Sequence, residues 1–107
     1  MFTLDEEMPW TDLGKGVKRK VMAYNAEMMT VKVHFQQGAV GEPHQHIHTQ
    51  QSYVLSGSFR YRVGEEERLL QAGDVCLIPS NVRHGCVCLE EGILIDVFNP
   101  AREDFLL

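Results

Sequence analysis

The chain has 107 residues, of which 44% are apolar and 23% charged, with a net charge of −5. This composition predicts one soluble globular domain over residues 1–107. No apolar run approaches membrane-spanning length, and no basic stripe could bind nucleic acid, so a membrane and nucleic acid are excluded as partners. An acidic small molecule is not excluded. The acidic N-terminus lacks the hydrophobic segment of a signal peptide, and we therefore expect a cytoplasmic protein with reduced thiols.

Short alternating or β-branched runs, separated by glycine and polar turns, predict strands along the whole chain. In chain order they cover residues 17–24, 28–35, 50–55, 58–63, 68–71, 75–79, 85–89 and 92–98. Residues 5–12 are expected to form a helical turn or coil. No apolar stripe of helical period exceeds two turns, so the pattern predicts an all-β sandwich or barrel.

Four of the five histidines lie in two short segments, at 41–50 and 73–84. On an extended chain, His44 and His46 point to the same side, and Gln50 keeps that parity. A distant His84 completes a set of three imidazoles and one amide oxygen. Such a set suits a borderline divalent metal, namely Mn, Fe, Co, Ni or Zn.

The two segments resemble the paired metal motifs of the cupin superfamily. In the first, His44-Gln-His46 is followed by three residues, Gln50, six residues and Gly57. In the second, Gly73 and Pro79 precede His84 at the family's spacing. The resemblance implies a single-domain cupin jelly-roll barrel that uses one transition metal, whose identity it leaves open.

Two positions depart from the cupin pattern. Asn81 replaces the inner glycine, which is a mild change because Asn tolerates the left-handed conformation. Gln50 replaces the usual Glu, which removes one negative charge and leaves a stronger Lewis acid. Gln51 is an alternative ligand, but a regular strand would turn it to the opposite face.

The remaining histidines and the cysteines have simpler interpretations. His48 shares the parity of the ligands and is either a spare ligand or a supporting neighbour. His34 is expected to be an ordinary structural residue. The cysteines, which lack the spacing of a zinc or redox motif, are interpreted as small apolar fillers: Cys76, Cys86 and Cys88.

A second cluster lies near the C-terminus. Asp96 interrupts an apolar strand, where a carboxylate is costly to bury unless it is paired or takes part in chemistry. Pro100 then turns the chain and could return Arg102 towards Asp96. From spacing alone, a structural Asp96–Arg102 ion pair with Phe98 in the core is about as plausible as a catalytic group.

Several short motifs together resemble the KdgF family of small cupins. They are His-x-His-x-His-Thr-Gln at 44–50, Ser-Tyr-Val-Leu at 52–55, Gly-Ile-Leu-Ile-Asp at 92–96 and Phe-x-Pro-x-Arg-Glu-Asp-Phe at 98–105. By that resemblance the metal ligands are His44, His46, Gln50 and His84. The same resemblance implies three residues that support activity: Asp96, Phe98 and Arg102.

The resemblance further implies a metal-dependent enzyme that acts after pectin or alginate lyases. It would open the ring of 4,5-unsaturated uronate monosaccharides to linear 4-deoxy-5-keto-uronates. Asp96 would then move protons, Arg102 would bind the substrate carboxylate or hold Asp96 ionised, and Phe98 would shape the pocket. The alternatives are a cupin-type metal-dependent dioxygenase, which Gln50 weighs against, and a non-catalytic sugar-binding cupin. By analogy with small cupins, we expect a homodimer.

Overall fold

The computed structural model describes all 107 residues as eight antiparallel strands and two single 3₁₀ turns. The strands are β1 (Thr11–Gly14), β2 (Val17–Tyr24), β3 (Met29–Phe35), β4 (Val40–His44), β5 (Thr49–Val63), β6 (Glu66–Gln71), β7 (Val75–Ile78) and β8 (His84–Asn99). The 3₁₀ turns cover Asp5–Glu7 and Glu103–Leu106. The all-β prediction is confirmed. None of the helical turns is long and apolar enough to cross a membrane.

The two longest strands each join two predicted ones and organise the sheet into two layers. The first half of β5 pairs with β7 and its second half with β6. The second half of β8 pairs with β3 and its first half with β4. Since β5 and β8 also pair with each other along their length, both strands run from one layer into the other.

A pair of glycines lies where these long strands change layer. Gly57 has φ of +78°, and a Cβ built on it would lie 2.5 Å from the carbonyl oxygens of Glu90 and Glu91. A Cβ on Gly92 would collide with the carbonyl oxygen of Ser56. Only glycine fits this crossing, where the β5–β8 register is irregular. Asn81 also adopts the left-handed conformation expected of it, with φ of +64°.

The apolar core fills the space between the layers. On β3, buried and half-buried residues alternate, as expected for a strand with one face inward. Fourteen buried residues form one cluster that includes Cys86 and Cys88, and Cys76 packs against it. No cysteine forms a disulfide. Burial raises the pKa of the Cys86 thiol to about 12 and that of Cys76 to about 11, so both remain protonated apolar fillers, as predicted.

The N-terminal prediction was only partly right. Residues 5–7 form the expected turn, but the edge strand β1 begins at Thr11 and was not predicted. Asp5 holds this segment against the sheet through Lys20 at 3.0 Å and Lys32 at 2.8 Å. Those two contacts link residues 15 and 27 positions apart in the chain, which local pattern cannot reveal.

Candidate metal centre and acid–base site

Three histidines converge at the end of the barrel where β4 ends and β8 begins. His44 pairs directly with His84 in the β4–β8 register. His46 joins them from the loop before β5, and the three residues offer ligand atoms that all lie within 4.8 Å of one another. This convergence was predicted, but the prediction assumed that His44, His46 and Gln50 lie on one extended strand, which is wrong. The chain leaves the sheet at His44, so a loop rather than a continuous strand carries His46.

Hydrogen bonds define which nitrogen of each ring is free. Each Nδ1 lies 2.8–3.0 Å from a backbone carbonyl oxygen. The carbonyl belongs to Glu42 for His44, to His48 for His46 and to Val82 for His84. A carbonyl can only accept, so Nδ1 carries the proton and Nε2 presents a lone pair. This arrangement is common in metal-binding histidines.

One of these free nitrogens is buried without a protein partner. His84 Nε2 is buried and has no hydrogen-bond partner. Burial lowers the pKa of His84 to about 4, and burial is also the main reason that the pKa of His46 is lowered. Neutral imidazoles with unpaired lone pairs are what a divalent metal requires, so the three-histidine group is able to bind one.

Gln50 brings an oxygen to the same place. Its side chain is buried, and its Nε2 donates to Ser52 Oγ at 3.1 Å. That bond turns Oε1 towards His46 Nε2, at 2.9 Å. With His46 protonated on Nδ1, two lone pairs face each other across this contact, an arrangement that a shared cation would relieve. Gln51 points to the exposed face, as expected; ligation by Gln50 stays a prediction.

His48 does not join the cluster. The group of converging ligand atoms excludes it. Its carbonyl accepts the hydrogen bond from His46 Nδ1, and its ring packs edge-on near Phe98, with centroids 6.4 Å apart. Of the two roles predicted for His48, the structure supports that of a supporting neighbour. His34 lies on β3 and bonds to Glu91 at 3.0 Å, as an ordinary structural residue would.

Asp96 lies beside the cluster, linked to it through two side chains. Ser52, its neighbour across the β5–β8 pairing, donates from Oγ to Asp96 Oδ1 at 2.5 Å. The same Oγ lies 2.9 Å from the Tyr61 hydroxyl and accepts from Gln50. A chain of hydrogen bonds therefore runs from the candidate metal ligand Gln50 to Asp96.

The environment of Asp96 favours its protonated form more than water does. Burial raises the pKa of the carboxyl to about 6, although hydrogen bonds from Ser52 and Gln50 and the charge of Arg102 act in the opposite direction. A carboxyl with this pKa can both accept and donate a proton near neutrality.

The structural alternative of an Asp96–Arg102 ion pair was wrong. Arg102 instead forms a bidentate pair with Asp104, with Nε at 3.0 Å from Oδ1 and Nη2 at 2.8 Å from Oδ2. Its Cζ lies 5.2 Å from the centre of the Phe98 ring. Asp104 is two residues away and exposed, so it captures the guanidinium more readily than a carboxylate inside the barrel.

A cavity of about 140 Å³ joins these groups. Its walls include His44, Gln50, His84, Asp96, Phe98 and Arg102. A larger cavity of about 480 Å³ shares Gly41, His84, Gly85 and Cys86 with the first, and its other walls include Arg60, Arg62 and Val87. The smaller cavity is the candidate site, because the carboxyl, the amide and two of the histidines all line it.

Sequence reasoning missed four residues of this site. Ser52 and Tyr61 lie on predicted strands and were not assigned to the site, although the even spacing of Gln50 and Ser52 places them on one face. Arg19 on β2 also lines the cavity, and Asp104 orients Arg102. No local signal identifies Arg19, because β2 is distant in sequence from both motifs.

Comparison with known proteins agrees with this geometry. Residues 1–101 match the ChrR cupin-like domain family. The chain is 48% identical over 107 residues to the pectin degradation protein KdgF of Dickeya dadantii, covering 98% of this chain and 97% of that protein.

Two solved structures share almost the whole fold. KdgF from Halomonas sp. superposes with a TM-score of 0.95 at 40% identity, covering 98% of this chain and 99% of that one. An RmlC-like cupin from Shewanella frigidimarina gives a TM-score of 0.95 at 46% identity, covering 97% and 94%. These similarities cover nearly the whole chain, and the chain belongs to the KdgF family of small cupins.

Proposed function

We propose that this protein catalyses the metal-dependent ring opening of 4,5-unsaturated uronate monosaccharides, the products of pectin or alginate lyases. The observation that carries the proposal is a single cavity lined by two of the three converging histidines and by a carboxyl whose pKa is about 6. The relative from Dickeya dadantii is named for pectin degradation, which supports an acidic sugar as the substrate.

The reaction needs one proton acceptor that later becomes a donor. The substrate is a cyclic enol ether with a hydroxyl on C1. Loss of the hydroxyl proton forms the C1 carbonyl and breaks the bond from C1 to the ring oxygen. The electron pair passes to the enolate, and a proton added at C4 gives the 5-ketone. The product is an isomer of the substrate, so no co-reactant is consumed.

Asp96 is the residue we assign to this proton transfer. Its carboxylate accepts the C1 hydroxyl proton, and the resulting carboxylic acid delivers it to C4. The bond from Ser52 fixes one oxygen of the carboxyl, which leaves the other to face the substrate. Ser52 is in turn held by Tyr61 and Gln50, so the carboxyl is oriented before the substrate binds.

The other site residues bind and orient. We assign His44, His46, Gln50 and His84 as the ligands of one divalent ion, which when bound supplies Lewis-acid stabilisation of negative charge on a substrate oxygen. Phe98, packed edge-on to His46 at 5.8 Å between centroids, forms an apolar wall for the sugar ring. Arg102 contributes positive charge to the substrate carboxylate, with its orientation held by Asp104.

The direct test is to incubate the metal-loaded protein with lyase-generated unsaturated monouronate. Loss of the ultraviolet absorbance of the conjugated double bond, with the linear keto-uronate seen by NMR, is the expected result. Oxygen consumption with substrate turnover would instead identify a dioxygenase. Saturable sugar binding with no loss of absorbance would identify a non-catalytic cupin.

A further inference from the structure

Two arginine side chains of the cavity pack against one aromatic ring. The Cζ atom of Arg19, on β2, lies 3.7 Å from the centre of the Phe105 ring. Arg102 Cζ lies 4.2 Å from the same centre, and all three residues line the cavity that holds Asp96 and His44. Stacking on an aromatic face holds the planar guanidinium in place at a small loss of side-chain freedom.

The two guanidiniums differ in what they already bind. Arg102 uses Nε and Nη2 on the carboxylate of Asp104. Arg19 has no carboxylate within ion-pair distance, although it is half-buried. Burial and the positive charge of Arg102 are the largest effects on Arg19, and both lower its pKa. The charge of Asp104 acts on Arg19 in the opposite direction but Asp104 pairs with Arg102, and a partly desolvated cation without a direct ion-pair partner favours an incoming anion.

We infer that Arg19 is the principal carboxylate-binding residue of this site and selects acidic over neutral sugars. The inference rests on the proposed function for the identity of the anion, a uronate carboxylate. The main contact with the substrate carboxylate is thereby assigned to Arg19 and not to Arg102. The Nε and Nη2 donors of Arg102 are already bonded to Asp104. Arg102 then acts as a positioning residue that adds positive charge and helps to hold Phe105.

Arg19→Gln is the informative substitution, because it removes the charge and the planar fork. Loss of a charge-assisted bidentate contact is expected to raise KM for the unsaturated uronate by about 10- to 100-fold. The value of kcat should change little, since this contact is made equally in the ground and transition states. Arg19→Lys keeps the charge without the fork and should give an intermediate KM.

Lys18→Gln is the matched control. It removes the same charge from the neighbouring residue, whose Nζ lies 4.8 Å from the centre of the Trp10 ring and which does not line the cavity. Melting temperature and metal content, measured for every variant, separate loss of binding from loss of fold. An unchanged KM in Arg19→Gln, or an equal rise in Lys18→Gln, would overturn the inference.

A binding measurement separates this inference from the proposed reaction. Galacturonate, which has no double bond to react, is titrated into the metal-loaded protein by calorimetry, with galactose as the neutral counterpart. We expect galacturonate to bind more tightly than galactose, and Arg19→Gln to remove that preference. This result without ring opening would support the inference and reject the proposed reaction. Ring opening with a preference that survives Arg19→Gln, or no preference in the unmodified protein, would reject the inference.

Discussion

Replacing Asp96 by Asn should stabilise the fold at neutral pH while it abolishes most of the activity. In the folded protein the pKa of Asp96 is raised from 3.8 to about 6, mainly by burial. The folded state therefore binds this proton more tightly than the unfolded state does, and ionising the carboxyl costs stability. Below pH 3.8 the group is protonated in both states, so its contribution is constant there.

The magnitude follows from the two pKa values. A tenfold change in proton affinity is worth about 1.4 kcal/mol, so the full difference corresponds to at most about 3 kcal/mol. The unmodified protein should lose this amount relative to Asp96→Asn as the pH rises from about 4 to about 6, with a plateau above. Because the variant cannot accept a proton, turnover should fall by about 10²- to 10⁴-fold.

The assay is urea unfolding of both proteins between pH 4 and pH 8. Chelator is present, so that no bound cation stabilises the carboxylate. The histidines titrate in both proteins and cancel in the difference, and altered hydrogen bonding adds only a constant offset. A difference in unfolding free energy that does not vary with pH would refute the reasoning, as would near-normal turnover of the variant at unchanged metal content.

Asp104→Asn provides a control of opposite sign. The hydrogen bond from Arg102 is the main reason that the pKa of Asp104 is lowered. Its stabilisation is therefore present above the ordinary pKa of an aspartate and is lost as the pH falls. With the titration extended below pH 4, the unmodified protein should gain stability relative to Asp104→Asn as the pH rises towards 3.8. Relative to Asp96→Asn it should lose stability between about pH 4 and pH 6.

Four further outcomes are expected. His46→Ala should lower metal content, measured by elemental analysis, and activity together while the melting temperature of the chelated protein stays within a few degrees, since His46 is not part of the apolar core. Arg102→Lys keeps the charge but loses the two-point pairing with Asp104, so it should weaken uronate binding in calorimetry less than Arg19→Gln does. Gly57→Ala should cost at least about 2 kcal/mol in urea unfolding, from its left-handed backbone and the contact with Glu90. Leu77→Arg should dissociate the homodimer expected by analogy, as measured by light scattering, because Leu77 is 57% exposed beside other apolar residues of β5 and β7; a monomeric unmodified protein would contradict that expectation.

The sequence by itself determined the fold class and the candidate metal ligands. Alternation of period two depends only on which face of a strand meets the core, so β2, β3 and β7 could be located from local pattern. The spacing of His44, His46 and Gln50, with the distant His84, predicts a metal site because few other kinds of site need those residue types at those intervals. The glycine at 57 was also identified from its motif position.

Only the tertiary structure decided how the Asp96 carboxyl is positioned and which arginine of the cavity lacks an ion-pair partner. Ser52 reaches Asp96 because two strands 44 residues apart pair in one register, and the raised pKa of Asp96 results from the packing around it. The partner of Arg102 depended on a competition between Asp96 and Asp104 that spacing could not resolve. Arg19 enters the cavity from β2, since closure of the barrel brings together groups that no local pattern connects.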